Sequence, residues 1–356
     1  MRLDVLKRRH EIIRGVREFF WARGFLEVET PVLLAHPSQE PELEPLRTTV
    51  HDVRGKAHEG FLRMSPEFSL KKLLGSLQGA TTSPDETVVS GVFEIGPVFR
   101  DVEPWGGHHN PEFTMLEWYR LGATYIDLMD DCEALVRFLC HSKQSAMRNL
   151  TRNNDKTGVA SQSSHYLKMI EGGWRRLSMK DAWQQYANLD LDMLLTRDTM
   201  AEVCEKRGLS VLDSDSFDDL FFKIFLTDIE PKLGKEQPTF VYDWPSQMAA
   251  LARKKPDDLR YAERVELYIL GLELANGFSE LTDAAEQRVR FLEDQELRKR
   301  LGRQIYPIDE AFLAALDSMP ECAGMALGID RLVMLLVDEE HIDAVRWLPA
   351  GSLWNT

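Results

Sequence analysis

Val98-Phe99-Arg100-Asp101-Val102-Glu103-Pro104-Trp105-Gly106-Gly107-His108-His109-Asn110-Pro111-Glu112-Phe113-Thr114-Met115-Leu116-Glu117-Trp118-Tyr119 is the stretch on which the fold turns. Residues 88–100 and 113–121 carry strand character, and 101–111 between them is rich in turn formers, which predicts two strands joined by a long mobile loop. An arginine, Arg100, closes the first strand, and the return strand carries a carboxylate, an aromatic ring and a tyrosine. A nucleotide site on an antiparallel hairpin needs such parts. A cation neutralises an α-phosphate under attack, an aromatic face stacks on a base, and a polar loop group reads an exocyclic amine. The plain alternative is an ordinary hairpin with surface charge.

Two further stretches extend the pattern towards the C-terminus. Gly271-Leu272-Glu273-Leu274-Ala275-Asn276-Gly277-Phe278-Ser279-Glu280-Leu281 sets two carboxylates on an apolar element. Positions seven apart point to opposite faces of a regular strand, and a bulge at Asn276-Gly277 would return Glu273 and Glu280 to one face. Converging carboxylates could hold Mg²⁺, or one could receive a substrate ammonium; alternatively Glu273 faces solvent. Gly324-Met325-Ala326-Leu327-Gly328-Ile329-Asp330-Arg331-Leu332-Val333-Met334 ends a strand and opens an apolar helix. The helix dipole disfavours a cation in the first turn, so Arg331 implies a partner anion such as a γ-phosphate. The alternative is glycine-rich packing with a local Asp330–Arg331 pair. No G-x-x-x-x-G-K-[ST] phosphate loop occurs.

Around these stretches the chain reads as mixed structure. A helix is expected over 5–23, stopped by Gly24, then a strand over 25–31 that ends at Pro31. Strands are expected over 46–53 and 61–64. Ser65-Pro66-Glu67 reads as a helix start, with Ser65 as N-cap and Pro66 at the first helical position. A loop over 75–86, an amphipathic helix over 127–140 and a polar, exposed insertion over 142–164 follow. Residues 177–206 and 217–230 read as mainly helical, 239–242, 262–268 and 270–281 as strands, and 286–303 and 328–337 as helices. Strands and helices do not alternate regularly, which favours α+β with an antiparallel β-sheet flanked by helices, in a single domain spanning 1–356.

Composition narrows the function classes. The 356 residues are 44% hydrophobic, enough for a sizeable core. Forty-three basic against 58 acidic residues give a net charge of −15, which argues against a broad grip on nucleic acid or anionic membrane. No apolar run reaches the ~18 residues of a membrane span. The start, MRLDVLKRRHEII, lacks the apolar core of a secretory signal. Cys132, Cys140, Cys204 and Cys322 form no C-x-x-C pair and read as packing residues. The expectation is a soluble cytoplasmic protein.

Taken in order, the proline-ended strand after the first helix, Phe99-Arg100 with the HNPEFTMLEWY return, GLELANGFSEL and GMALGIDRLVM resemble motifs 1, 2 and 3 of the class II aminoacyl-tRNA synthetase fold in its lysyl branch. The chain is most similar to the elongation factor P lysyltransferase family, short relatives of lysyl-tRNA synthetase. Ser65-Pro66-Glu67-Phe68 and Gly234-Lys235-Glu236-Gln237-Pro238-Thr239-Phe240-Val241-Tyr242 match as well. The resemblance covers residues 6–337 apart from the insertion.

The resemblance implies a homodimer through the first helix and strand, and activation of a lysine-type amino acid with ATP and Mg²⁺ before transfer. It implies that Arg100 meets the α-phosphate, Phe113 stacks on adenine, and Glu103 and Asn110 line the ATP loop. Glu273 with Leu274 would lie on ATP and, with Glu280, on Mg²⁺; Gly328 and Arg331 would close the other side. Ser65, Pro66, Glu67, Tyr119, Glu280 and Ala326 would form the amino-acid pocket. Two features depart from lysyl-tRNA synthetases. Arg100 is followed by Asp101-Val102-Glu103 where an Arg-x-Glu pattern is usual, and the chain begins at the first helix, without the ~100-residue β-barrel that reads an anticodon. That absence and the acidic charge favour elongation factor P as acceptor of (R)-β-lysine, or lysine, with tRNA disfavoured. A small tRNA-charging enzyme and a non-catalytic binding module are the alternatives.

Overall fold

A computed structural model describes residues 2–77, 89–151, 168–249 and 251–354. The strands are β1 (Phe25–Glu27), β2 (Leu33–Leu34), β3 (Arg47–His51), β4 (Ala57–Leu62), β5 (Gly91–Phe99), β6 (Glu112–Leu121), β7 (Arg175–Ser178), β8 (Thr239–Pro245), β9 (Tyr261–Ile269), β10 (Leu272–Ser279) and β11 (Cys322–Gly328). The helices include α1 (Leu3–Trp21), α2 (Glu67–Leu77) and α3 (Tyr125–Thr151). The chain forms two compact units, one of Met1–Ala123, Phe138–Asn154 and Glu280–Thr356, the other of Thr124–Arg137 and Asp155–Ser279.

In the first unit the strand order is β1-β5-β6-β11. The hairpin β5–β6 is antiparallel in unbroken register from Gly91↔Arg120 to Phe99↔Glu112, and β6 pairs antiparallel with β11. The edge strand β1 runs parallel to β5, a departure from an all-antiparallel sheet. Helix α1 buries Val5, Val16, Phe19 and Phe20. Phe20 seats that face on the sheet: its ring stacks on Phe93 at 4.9 Å and meets Phe25 and Trp118 at 5.1 and 5.4 Å. Such rings contribute both buried area and orientation. A small sheet of order β2-β4-β3 lies in the same unit. Helix α2 stacks Phe68 on Phe312 of the helix Glu310–Leu316 at 4.0 Å.

The second unit has the order β10-β9-β8-β7, antiparallel except for the parallel pair β7–β8. Its core gathers Trp183, Phe221, Phe225 and Trp244, all at most 1% exposed. The stretch expected to be mainly helical over 177–206 opens instead in β7. It then breaks into Met179–Ala182, the π-helical turn Trp183–Ala187 and Arg197–Lys206. Asn188, at φ 54°, ends the π-helical turn in the left-handed conformation asparagine tolerates.

The β-bulge also sits elsewhere than expected. The register shifts between Glu273 and Ala275, leaving Leu274 as the extra residue, while Asn276 and Gly277 pair regularly with Glu266 and Val265. Asn276 is held in register by its side chain, which donates to Glu266 Oε1 at 3.1 Å. The bulge places Glu273 and Asn276, three apart, opposite Tyr268 and Glu266 on one face. Helix α3 enters the polar stretch 142–164 and runs to Thr151; 152–164 lie outside the described residues, as do 78–86 of the expected loop.

Candidate active site

The first unit contains a buried carboxylate cluster built from three elements. Ser65 accepts the Glu67 backbone N–H at 2.9 Å, starting α2 as expected and directing Glu67 inward. One turn later Lys71, 1% exposed, donates to Glu67 Oε1 at 2.6 Å and lies 2.5 Å from Glu280 Oε2. Strand β6 contributes Glu117 and Tyr119, two apart and on one face. The Tyr119 hydroxyl donates to Glu117 Oε1 at 2.7 Å and Ser65 Oγ to Glu117 Oε2 at 2.9 Å. Thus Ser65, Glu67, Tyr119 and Glu280 do converge, joined by Lys71 and by Glu117, the return strand's carboxylate, neither of which the resemblance placed in the amino-acid pocket.

The floor of this cluster is β11. Its register sets Gly324 opposite Tyr119 and Ala326 opposite Glu117. A Cβ at position 324 would lie 2.4 Å from Tyr119 Cε1 and 2.5 Å from Glu280 Oε1, so only glycine fits there. Directly opposed residues of an antiparallel pair share a face, which puts the Ala326 methyl beside the Glu117 side chain.

Burial dominates the electrostatics of the cluster. It pushes the carboxyls of Glu117 and Glu280 up to about 8, and raises that of Glu67 against the pull of Lys71. Burial also disfavours the Lys71 ammonium, but the Glu280 and Glu67 carboxylates outweigh it and hold the ammonium well above its ordinary value. Three carboxylates thus face one ammonium in a dry setting, where unpaired charge is costly.

The hairpin tip forms a second group in the same unit. Arg100 N–H donates to Pro111 O at 2.8 Å, closing the loop, and its guanidinium lies 5.1 Å from the Phe113 ring centroid. Glu103 is 2.9 Å from His109 Nδ1, and that contact, with the charges of Arg100 and Arg331, holds its carboxyl below the ordinary range. Arg100, Glu103 and Arg331 therefore share one electrostatic neighbourhood despite the extra residue after Arg100. Asn110 is buried; its amide donates to Glu112 O at 2.6 Å and its Oδ1 accepts from Ala350 N–H at 2.9 Å. These two bonds fasten the loop to the C-terminal segment. Past Gly328, Asp330 is 1% exposed. It accepts from Arg9 at 2.5 Å, Thr114 N–H at 2.7 Å and Arg346 at 3.0 Å, pinning the start of the helix Ile329–Val337.

In the second unit, Glu273 stands on the β9–β10 face defined by the bulge. Arg264 and Tyr268 both donate to Glu266, at 2.8 and 2.6 Å. Burial and then the charge of Glu273 push the Glu266 carboxyl up to about 7. Asn276 Oδ1 is buried with no hydrogen-bond partner among the described residues. Two mutually repelling carboxylates and an unmet carbonyl oxygen make a hard-oxygen donor set of the kind that suits a divalent cation. The expected companion of Glu273, Glu280, belongs to the first unit and is held by Lys71. Periodicity missed Glu266 because it reads as one more polar residue in a strand; the register with β10 is what exposes it.

The sequence model described as tRNA synthetases class II (D, K and N) matches residues 2–352. The chain belongs to that family. Relatives named elongation factor P–(R)-β-lysine ligase include one from Vibrio cholerae, 38% identical, covering 98% of this chain and 95% of the relative. One from Proteus mirabilis is 37% identical, covering 97% and 94%. One from Haemophilus influenzae (strain PittGG) is 37% identical, covering 96% and 93%. The similarity to these relatives spans both units.

Proposed function

We propose that this chain activates a lysine-type amino acid, (R)-β-lysine foremost, with ATP and joins it to a lysine side chain of elongation factor P. The observation that carries the substrate class is the cluster of Glu67, Glu117 and Glu280 against the single ammonium of Lys71. Fully ionised, it holds two surplus negative charges, matching the two ammonium groups of a lysine isomer. The relatives' names give the isomer and the acceptor.

In the first step a carboxylate oxygen of the amino acid attacks the α-phosphorus of ATP, and pyrophosphate leaves. Arg100 offsets the charge that grows on the α-phosphate, and Arg331 meets the departing pyrophosphate. Phe113 offers a face to adenine, Glu103 reads its exocyclic amine, and Gly328 leaves the approach to Arg331 open. Glu273 and Glu266, with Asn276 Oδ1 beside them, would hold Mg²⁺ on the β9–β10 face, where it would supply positive charge. In the second step the acceptor's ε-amine attacks the activated carbonyl, AMP leaves, and the amine gives up a proton. Leu3, Leu6, Trp21 and Leu26 are exposed apolar residues on α1 and β1, which supports a homodimer through that surface.

The test is reconstitution. The chain, ATP, Mg²⁺ and (R)-β-lysine are incubated with elongation factor P and, separately, with lysine-accepting tRNA. A mass increase of one lysyl unit on elongation factor P with tRNA left uncharged is expected. Charged tRNA with unmodified elongation factor P would overturn the reading.

A further inference from the structure

Lys71 lies at the centre of the carboxylate cluster, yet the proposed reaction gives it no part. It is 1% exposed, and its Nζ sits between Glu67 Oε1 at 2.6 Å and Glu280 Oε2 at 2.5 Å. A notch between two buried carboxylates is the strongest ammonium site in the pocket, and the chain fills it with its own ammonium. Neither Glu280 carboxylate oxygen has a hydrogen-bond partner among the described residues: Oε2 is ion-paired with Lys71, and Oε1 lies over Gly324, where a Cβ would come within 2.5 Å of it. Glu117 is oriented separately, by Tyr119 and Ser65.

Resting on the amino-acid pocket proposed above, we propose that Lys71 is a positioning residue that sets the register of the substrate's amines. By occupying the Glu67–Glu280 notch it denies that place to a substrate ammonium, and leaves Glu280 Oε1 and Glu117 as the anchors. A substrate free to enter the notch would still bind, with its carboxylate displaced from the α-phosphate. Misplacement by about 1 Å can cost on the order of 10²-fold in rate. The signature is therefore a loss in kcat without a rise in KM.

The experiment compares ATP–pyrophosphate exchange by wild type, Lys71→Ala, Lys71→Gln and Lys71→Arg, with (R)-β-lysine and with α-lysine. Thermal melting of each variant reports folding. Lys71→Ala should lose kcat on the order of 10²-fold with KM equal to or below that of wild type. Ethylammonium, which fits the vacated notch, should restore much of the rate. Lys71→Gln keeps hydrogen-bonding capacity without charge and should also lose kcat, whereas Lys71→Arg should retain part of it. The preference between the two isomers should narrow in Lys71→Ala and return with ethylammonium. A raised KM at unchanged kcat, or no rescue in a variant that melts like wild type, would overturn the role of Lys71. If Lys71→Ala fails to fold, the Lys71→Gln split between kcat and KM decides. Wild-type exchange with neither isomer would instead overturn the proposed function, and so is distinguishable from failure of this inference.

Discussion

Arg100 and Arg331 carry the least replaceable single charges in the proposed chemistry. Each is expected to lose 10²–10³-fold in adenylate formation, roughly the cost of removing one transition-state charge partner, when changed to alanine. Pyrophosphate exchange measures this, with thermal melting as the folding control, and near-normal exchange would refute the role. Ala326 tests finer discrimination. Its methyl stands beside Glu117, the residue opposite it across β6–β11. One methylene in a close-packed pocket discriminates by ~1–3 kcal/mol. The methyl should disfavour the α-amine of ordinary lysine, so Ala326→Gly should narrow or reverse the preference for (R)-β-lysine, read as the ratio of kcat/KM for the two isomers. An unchanged ratio would contradict it. The same residues make a pH dependence. Burial lifts Glu117 and Glu280 to about 8, so the substrate-free fold holds protons that the unfolded chain releases. That stabilisation is full below the ordinary carboxyl value of 4.5 and is lost as pH rises through about 8. Substrate ammonium groups need the ionised carboxylates, so KM should fall over the window in which the melting temperature of the free protein falls. Glu117→Gln should flatten both trends; a melting temperature and KM flat across that window in wild type would contradict the assignment.

At the scale of elements, the strand pair β9–β10 is where the register of the sheet decides chemistry. The bulge at Leu274 sets Glu273 and Asn276 on the face of Glu266 and Tyr268. Glu273→Gln and Glu266→Gln should each raise the Mg²⁺ concentration needed for half-maximal exchange and lower the rate, whereas a metal titration and turnover unchanged in both would make the pair structural. The same strand shows how far the sequence could be read. Two carboxylates on an apolar run mark the element as functional, because unpaired charge there is costly. Which carboxylates act together depends on a bulge two or three residues from where asparagine and glycine suggested, since Asn276 is bonded to Glu266 and keeps its register. Motif-bearing pieces were legible because their residues are chemically unusual: Arg100 closing a strand, Arg331 in the first turn of a helix, Ser65 capping α2. That Lys71 and Glu117 belong to the amino-acid pocket was not, because their meeting with Glu67 and Glu280 depends on how the helix and hairpin fold over one another. Asn110 was legible as important but not as a fastener, since its partner Ala350 lies 240 residues away.

Across the whole molecule, a net charge of −15 sets the acidic pocket in an acidic chain. Such a field favours cationic amino acids and works against polyanionic acceptors. Recognition of two ammonium groups is read directly from ATP–pyrophosphate exchange by the wild-type chain with (R)-β-lysine, (S)-β-lysine, α-lysine and norleucine in parallel, the last lacking the second ammonium. The highest kcat/KM is expected for (R)-β-lysine, a lower one for α-lysine and none measurable for norleucine, because two surplus carboxylate charges call for two ammonium groups. Exchange with norleucine comparable to that with the lysine isomers, or a wild type that prefers α-lysine, would contradict it.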